Sequence, residues 1–592
     1  MSGPDPSPGD GAGTATAAAA AAAAEPSGSD PSGLTRLWRR ELFHYPPTRK
    51  RYALLALVVL SSVVMYYQQY VAGAVSFRIL NYFQMSFRFY LTVVVVSSVA
   101  GAISSLIASV ADRIGRANMV VGGLLAVGLV TFFGIPNAHS RATYAMAVAT
   151  VGFFEGMVLV ATPALVRDFS PQQRRGAAMG FWTLGPVLGR LTVSLVASQT
   201  VDAHDWQFQF RVAGAVGLSV FVVALLFLRE LAPSLRDQLM TSLRERVLAE
   251  VRARGLKVED AMKRPFRQMA GWNTVIPSIG VGFFLLIYLS AVGFFVIYFV
   301  SVFGFSQSEA NGLGNWFWSA DAVAVVGVGI ISDKLRVRKP FMLAGGVVAV
   351  GMGLVFAALA TRPHTTYTTF VVVIMIMSTA RGVAYAPWMA AYTETLESRN
   401  PALVATGLAI WGWTLRIVAA SAFLIVPFVV PSATPVADYG PQASALQAKY
   451  TTQIATLKVV QPATLALLQA DPTDRKAQVA AINQIHQALG VPVAVAAADL
   501  IAASQIPKAD RAFLSTHGRE VLNARAEAPK EWQRWWLICV VGEVLFLPTI
   551  FLLVGRWRRS SALRDQEEHD RLVNEQFEEL STSDQFIEGV PA

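Results

Sequence analysis

Residues 108–118 read ASVADRIGRAN, and residues 329–340 read GIISDKLRVRKP. Each stretch ends an apolar run with an acid beside a base, Asp112–Arg113 and Asp333–Lys334, and sets a further arginine after it, Arg116 and Arg338. A polar cluster that recurs after an even-numbered apolar run, half of the apolar region apart, implies a chain built twice from one plan. Outward from the two clusters lie twelve runs of at least about 18 apolar residues, the length that crosses a hydrocarbon layer of roughly 30 Å. They occupy approximately 52–75, 87–111, 118–136, 143–166, 176–199, 208–229, 274–302, 310–331, 340–361, 366–390, 402–430 and 533–555. Six precede a charged segment at 230–273 and six follow it.

Composition agrees with that count. Across 592 residues, 54% are hydrophobic and only 15% charged, where soluble domains carry about 25% charged residues. Such a chain cannot cover its apolar surface with polar groups, so lipid is its solvent. The first run starts late, is long, and ends in MYYQQY rather than in a small-residue cleavage site, which argues against a removable signal peptide. The net charge of +10 sorts by membrane side. With the N-terminus inside, 31 Lys and Arg residues fall on the inner segments and 4 on the short outer loops. That asymmetry places both termini in the cytoplasm of a cell-membrane protein, and it removes the basic face that nucleic acid would need. The lone Cys539 excludes an intrachain disulfide and a cysteine metal site.

The organisation expected is therefore a basic, disordered N-terminal tail at 1–50, a six-helix bundle at 51–229, a cytoplasmic linker at 230–273 and helices seven to eleven at 274–430. A helical extracytoplasmic loop at 431–532, helix twelve at 533–556 and a cytoplasmic tail at 557–592 complete it. The tryptophans near span ends (Trp206, Trp272, Trp532 and Trp535) are expected as interfacial anchors.

A second repeat supports the first. Span five carries Gly180, Gly185 and then Arg190; span eleven carries Gly407, Gly412 and then Arg416; Pro163 and Pro387 sit near the ends of spans four and ten. On these residues the chain resembles the major facilitator superfamily. The family's loop motif GxxxDRxGRR is matched by Asp112, Arg113, Gly115 and Arg116, with Ala108 and Ala117 replacing its first glycine and its last basic residue. The second copy keeps Gly329, Asp333, Lys334 and Arg338. GFWTLGPVLGR in span five is similar to the family's fifth-helix signature through Gly185, Pro186 and Gly189, with Arg190 in place of the final glycine. The resemblance implies an all-α membrane protein of twelve transmembrane helices in two pseudo-symmetric six-helix bundles. It also implies helices one, four, seven and ten around a central cavity. In the loop motifs, Asp112, Arg113, Gly115, Arg116, Asp333, Lys334 and Arg338 would form a conformational latch between bundles. The glycines Gly180, Gly185, Gly189, Gly407 and Gly412, with Pro186, would serve close helix packing.

Six ionisable residues lie well inside spans: Glu155, Arg190, Asp321, Arg381, Arg416 and Glu543. Each costs roughly 2.5–3.5 kcal/mol at the bilayer centre, so they must pair with one another or line a wet cavity. Three acids and three arginines permit complete neutralisation, and Glu543, on a peripheral helix, is read as structural. Tyr66, Gln69, Arg190, Tyr298, Arg381 and Arg416 are the candidate solute contacts. A guanidinium stays charged and its planar fork fits a carboxylate or phosphate. Glu155 and Asp321 are candidate proton carriers, because a buried carboxyl can exchange a proton near neutral pH. No phosphate loop, HExxH or metal-ligand spacing occurs, so neither an enzyme nor a bound cofactor or metal is expected. The reading is a monomeric, proton-coupled transporter of a small organic solute, leaning towards anions. Its alternatives are an efflux antiporter of amphipathic compounds, or a transporter-like sensor that binds a partner through its outer loop or its cytoplasmic linker.

Overall fold

The computed structural model describes residues 37–106, 115–170, 181–233, 264–335, 337–400 and 403–554, with a few isolated positions besides. Asp112, Arg113 and Gly180, most of the 230–273 linker and nearly all of the C-terminal tail lie outside the described residues. Among the described residues, twelve helices are long and apolar enough to cross a membrane: Thr48–Ala74, Phe87–Ser104, Arg116–Gly134, Arg141–Val166, Phe181–Thr200 and Trp206–Phe227, then Trp272–Phe303, Gln307–Leu335, Lys339–Leu359, Tyr367–Arg399, Thr406–Val429 and Lys508–Leu552. Helices are the economical solution, because in hydrocarbon every backbone N–H and C=O must find its partner within the segment. Twelve crossings return the chain to the face on which it began. That face is called the terminal face below, and the face bearing residues 431–507 the loop face.

Close approach between helices rests on small residues. Where span two meets span four, a Cβ added at Gly101 would stand 2.9 Å from the Gly152 carbonyl oxygen, and Gly152 and Gly156 lie against Ser97, Gly101 and Ser104. Ser97 Oγ donates to Val148 O at 3.0 Å across this contact. Without a hydrophobic drive between helices in lipid, such backbone proximity supplies the packing. Span seven is broken at Leu285 (φ −82°, ψ 3°) into Trp272–Phe284 and Leu286–Phe303. Pro163 and Pro387 lie inside spans four and ten.

Three differences from expectation have physical reasons. The N-terminal tail is not wholly disordered. Glu41–Leu42 pairs in parallel with Glu230–Leu231, and the buried Arg40 donates to Leu225 O (2.7 Å), Leu228 O (3.2 Å) and Asn118 Oδ1 (2.8 Å). A guanidinium caps the free carbonyls at the end of span six, and that interaction orders the strap. The helix of span twelve does not begin at 533: one helix, Lys508–Thr549, runs from the loop into the expected span with Pro529 accommodated inside it. Trp206, Trp532 and Trp535 are not interfacial anchors. They are 4%, 0% and 1% exposed, while Trp272 is 81% exposed. Trp535 Nε1 donates to Ser290 Oγ at 3.0 Å, while aromatic packing on Tyr82 and Phe83 holds Trp206 and packing on Phe294 and Tyr298 holds Trp532, whose indole N–H groups have no partner among the described residues.

The rest of the loop is helical: Ala433–Lys449, Thr451–Val459, Pro462–Ala470, Arg475–Leu489 and Val493–Ser504. The last four share a small core of Val460, Ala481, Ile485 and Ala496. Ala433–Lys449 docks on the first half of the molecule, where Asp438 Oδ1 accepts from Phe87 N at 2.7 Å and caps span two.

Candidate functional site

The two halves touch at the loop face. Asn311 Nδ2 donates to Ala74 O (3.2 Å), Ser308 Oγ to Ser198 O (2.5 Å) and Asn315 Nδ2 to Ser198 Oγ (3.0 Å). Phe294 of span seven packs on Phe87 of span two and Phe423 of span eleven, with ring centroids 6.2 and 5.3 Å apart. At the terminal face the charged groups pair within their own halves. Arg116 bonds Asp168 at 2.7 Å and donates its backbone N–H to Glu230 Oε2 at 2.8 Å. Arg338 bonds Asp333 at 2.6 Å and Glu394 at 3.0 Å, and Lys334 is exposed. Among the described residues no ion pair joins the halves there. The described hydrogen bonds between the halves lie at or just beneath the loop face.

Between the halves, span five sits hard against span one because Gly185 and Gly189 lack side chains. A Cβ at Gly189 would meet Tyr66 Cβ at 2.6 Å and Val63 O at 2.9 Å. Gly407 faces Leu396, whose Cδ1 would stand 2.7 Å from an added Cβ, and Gly412 faces open space. The tight crossing brings Arg190 beneath the loop face. Its Nη1 donates to Tyr70 O at 2.9 Å, its Nη2 donates to Val292 O of span seven, and its guanidinium lies over the rings of Tyr70 (5.5 Å) and Trp318 (6.0 Å). Arg190 thus ties the first half to the second through carbonyls rather than through a carboxylate. No acid lies within ion-pair distance of it among the described residues.

Around that brace the structure gathers Tyr66 and Tyr70 of span one, Glu155 of span four and Tyr288 of span seven, while Gln69 is half-buried on span one. Trp318 and Asp321 of span eight, Tyr385 of span ten and Arg416 of span eleven complete the group. Tyr66 and Tyr70 stack with centroids 5.6 Å apart, and Tyr288 meets Trp318 edge-on at 5.1 Å. Arg416 is exposed and is the charged group acting on Glu155 from the opposite half; it also acts on Tyr66. Asp321 acts on both Tyr288 and Tyr385. Glu155 and Asp321 are buried, and neither has a hydrogen bond or ion pair among the described residues. The four tyrosines lie deep in the bundle yet keep accessible surface, which is the signature of side chains lining an internal space.

Two other expected site residues are held by other partners, although Arg381 is also the cation acting on Asp321. Arg381 is 3% exposed and forms an ion pair with the fully buried Glu543, while also donating to Phe284 O. Its guanidinium lies 4.7 Å from the Phe284 ring centre, so it braces spans seven, ten and twelve. Tyr298 is fully buried among Phe299, Phe303, Phe356, Trp532 and Trp536. Aromatic packing of the second half holds it away from the central space. Trp318 went unnoticed in the sequence, where nothing but its distance of three residues from Asp321 marks it.

A family model described as Major Facilitator Superfamily matches residues 57–423. A putative glycerol-3-phosphate transporter 5 of Arabidopsis thaliana is 27% identical over 121 residues, covering 20% of this chain and 24% of that protein. A galacturonate transporter of Dickeya chrysanthemi is 24% identical over 202 residues, covering 34% of this chain and 57% of that protein. The chain thus matches about a quarter to somewhat over half the length of these relatives. Among solved structures, a bacterial homologue of the human lysosomal transporter Spinster, inward-facing and occupied, superposes with a TM-score of 0.53 at 16% identity, covering 85% of this chain and 97% of that one. At that identity the likeness shows the fold alone.

Proposed function

Because the chain belongs to the major facilitator superfamily, we propose that it is a secondary transporter that moves a small organic anion across the cell membrane by alternating access, coupled to protons. One observation carries the reading. Arg416, exposed between the halves, faces Glu155 of the other half without an ion pair, and Asp321 lies unpaired in the same space. An arginine fork without a bonded carboxylate is a receptor for a carboxylate or phosphate. A buried carboxyl with no protein partner is a proton carrier whose charge state the arriving anion alters. The names of the two relatives, glycerol-3-phosphate and galacturonate transporters, point to the same chemical class. With the basic segments inside, the terminal face is cytoplasmic, and Arg190 holds the outer end shut.

The cycle follows from differential contacts. Arg190 and the loop-face hydrogen bonds exist only when the outer end is closed, so opening outward must break them. A solute that draws Arg416 and Glu155 together closes the inner end and offsets that cost. The test is uptake into proteoliposomes under an imposed pH gradient. Accumulation that collapses with a protonophore, and exchange without accumulation in Glu155→Gln or Asp321→Asn, supports proton coupling. Full accumulation in both variants and indifference to the protonophore overturns it.

A further inference from the structure

Four tyrosine hydroxyls converge on the central space, two from each half: Tyr66 and Tyr70 on span one, Tyr288 on span seven and Tyr385 on span ten. Tyr288 interacts electrostatically with the other three and with Asp321, and Tyr66 interacts with Tyr70, Tyr385 and Glu155. Ring geometry independently places three of them, Tyr66, Tyr70 and Tyr288, while Tyr385 stacks on Trp388 of its own span. Tyr66 stacks on Tyr70, Tyr70 lies against the Arg190 guanidinium, Arg190 lies over Trp318, and Trp318 meets Tyr288, forming one continuous wall that crosses from the first half to the second. No protein group among the described residues hydrogen-bonds any of the four hydroxyls, nor either carboxyl of Glu155 and Asp321. Tyr392 Oη, by contrast, accepts from Ser278 Oγ at 2.8 Å and donates to Gly407 O at 3.1 Å, while the buried Tyr67 Oη has no partner among the described residues but is closed off from the central space.

We infer that the solute is a polyhydroxylated anion, its acid group held by Arg416 and its hydroxyls shared among Tyr66, Tyr70, Tyr288, Tyr385, Glu155 and Asp321. The inference rests on the organic-anion reading above and narrows it. An apolar anion would bury four phenol hydroxyls and two carboxyls without a hydrogen-bond partner, and each such group opposes binding. A chain of hydroxyls instead donates to the carboxylates and both donates to and accepts from the phenols, while its C–H faces rest on the Tyr66–Tyr70 pair and on Trp318. Since the phenols come equally from both halves, the hydroxyls also bridge them. The same contacts that select the solute thereby draw the inner end closed, and an analogue lacking hydroxyls is left with the anion contact alone.

The experiment uses the full chain reconstituted in liposomes and matched probe pairs: gluconate against hexanoate, and glycerol phosphate against propyl phosphate, with sorbitol as the neutral polyol. The expected result is uptake of at least one hydroxylated anion, with its matched analogue at least about 100-fold weaker, a floor below the roughly 10,000-fold or greater rejection that a site built to hydrogen-bond its ligand can reach. Tyr288→Phe and Tyr385→Phe, which keep the ring, should each weaken the hydroxylated probe up to about 10-fold and leave the analogue unchanged. Equal uptake of an analogue and its hydroxylated partner overturns the hydroxyl assignment and leaves the anion reading standing. Sorbitol transported as well as the anions overturns the anion reading itself. Failure of both hydroxylated anions in a protein that folds and transports another solute overturns the inference.

Discussion

Replacing Arg381 with methionine should unfold the second half's core rather than merely weaken solute binding. Arg381 is 3% exposed and Glu543 is 0% exposed. They pair with each other, and Arg381 also donates to Phe284 O beside the break in span seven. Glu543 Oε2 already lacks a partner, so in Arg381→Met the Glu543 carboxylate loses its only counter-charge in a medium that solvates ions poorly. Breaking a buried pair from one side costs about 3–5 kcal/mol, whereas replacing both members with apolar residues is often neutral. The structure therefore predicts non-additivity: Arg381→Met and Glu543→Leu each destabilise by about 3–5 kcal/mol, and the double variant returns to within about 1 kcal/mol of the parent. The folded fraction in detergent, titrated with SDS and read by tryptophan fluorescence, measures this, because Trp532, Trp535 and Trp536 are buried nearby in the same helix. Transport by the double variant is then assayed in liposomes. A single Arg381→Met as stable as the parent, or a double variant as unstable as the two single losses added, would refute the account. A stable double variant that no longer binds solute would return Arg381 to the solute site.

Arg190→Ala removes the hydrogen bond from Arg190 to Val292 O of the other half, along with one to Tyr70 O within its own half. Bonds from a charged donor are worth about 1.5–3 kcal/mol, so the closed-to-open ratio at the loop face should fall about 10- to 100-fold. Nitroxide labels at Asn81 and His364, both exposed on that face, should report longer distances by pulsed electron resonance, and an unchanged distance distribution would count against the brace. Gly152→Val should abolish folded yield, since Gly152 contacts Ser97 and the Gly101 position without room for a side chain; a normal monodisperse elution profile would contradict this. Asp438 is pushed up to about 6 from an ordinary 3.8 by burial, with Glu520 adding to the effect and the Phe87 N–H and Arg88 opposing it. The folded state thus holds its proton more tightly than the unfolded chain. The stability it contributes is full below about pH 3.8 and is lost as pH rises through about 6. Because the group is partly solvent-facing, the change is about 1 kcal/mol after screening. Asp438→Asn should flatten the pH dependence of thermal unfolding over that window, and an unaltered slope would exclude the group.

Much of this was legible in the residues. The twelve spans, the prolines inside spans four and ten and the family follow from runs, spacings and motifs. The need to neutralise or wet six intramembrane charges follows as well. The pairings did not. Three acids and three arginines allow several assignments, and only the Arg381–Glu543 pair is a direct contact, formed between spans 162 residues apart in sequence. Arg190 and Arg416 occupy equivalent repeat positions yet differ: one is buried against backbone carbonyls and the other is exposed. Of the neighbouring amides in span one, Gln68 is buried against Gly217 of span six and Gln69 keeps accessible surface. A rotation of one helix about its axis decides such a choice, and an apolar run carries little information about rotation.

By itself the sequence determined what is local and additive: which segments prefer lipid, which face the basic residues favour, and which residues cannot stay unpaired in hydrocarbon. Each is a sum of transfer free energies over neighbouring residues. Tertiary structure alone decided which face of each helix meets the central space, which end of the bundle is closed, and which hydroxyls and carboxyls are left without a protein partner. Those outcomes depend on contacts between helices far apart in the chain, where a missing Cβ at Gly189 or a guanidinium reaching a carbonyl across the halves sets the geometry.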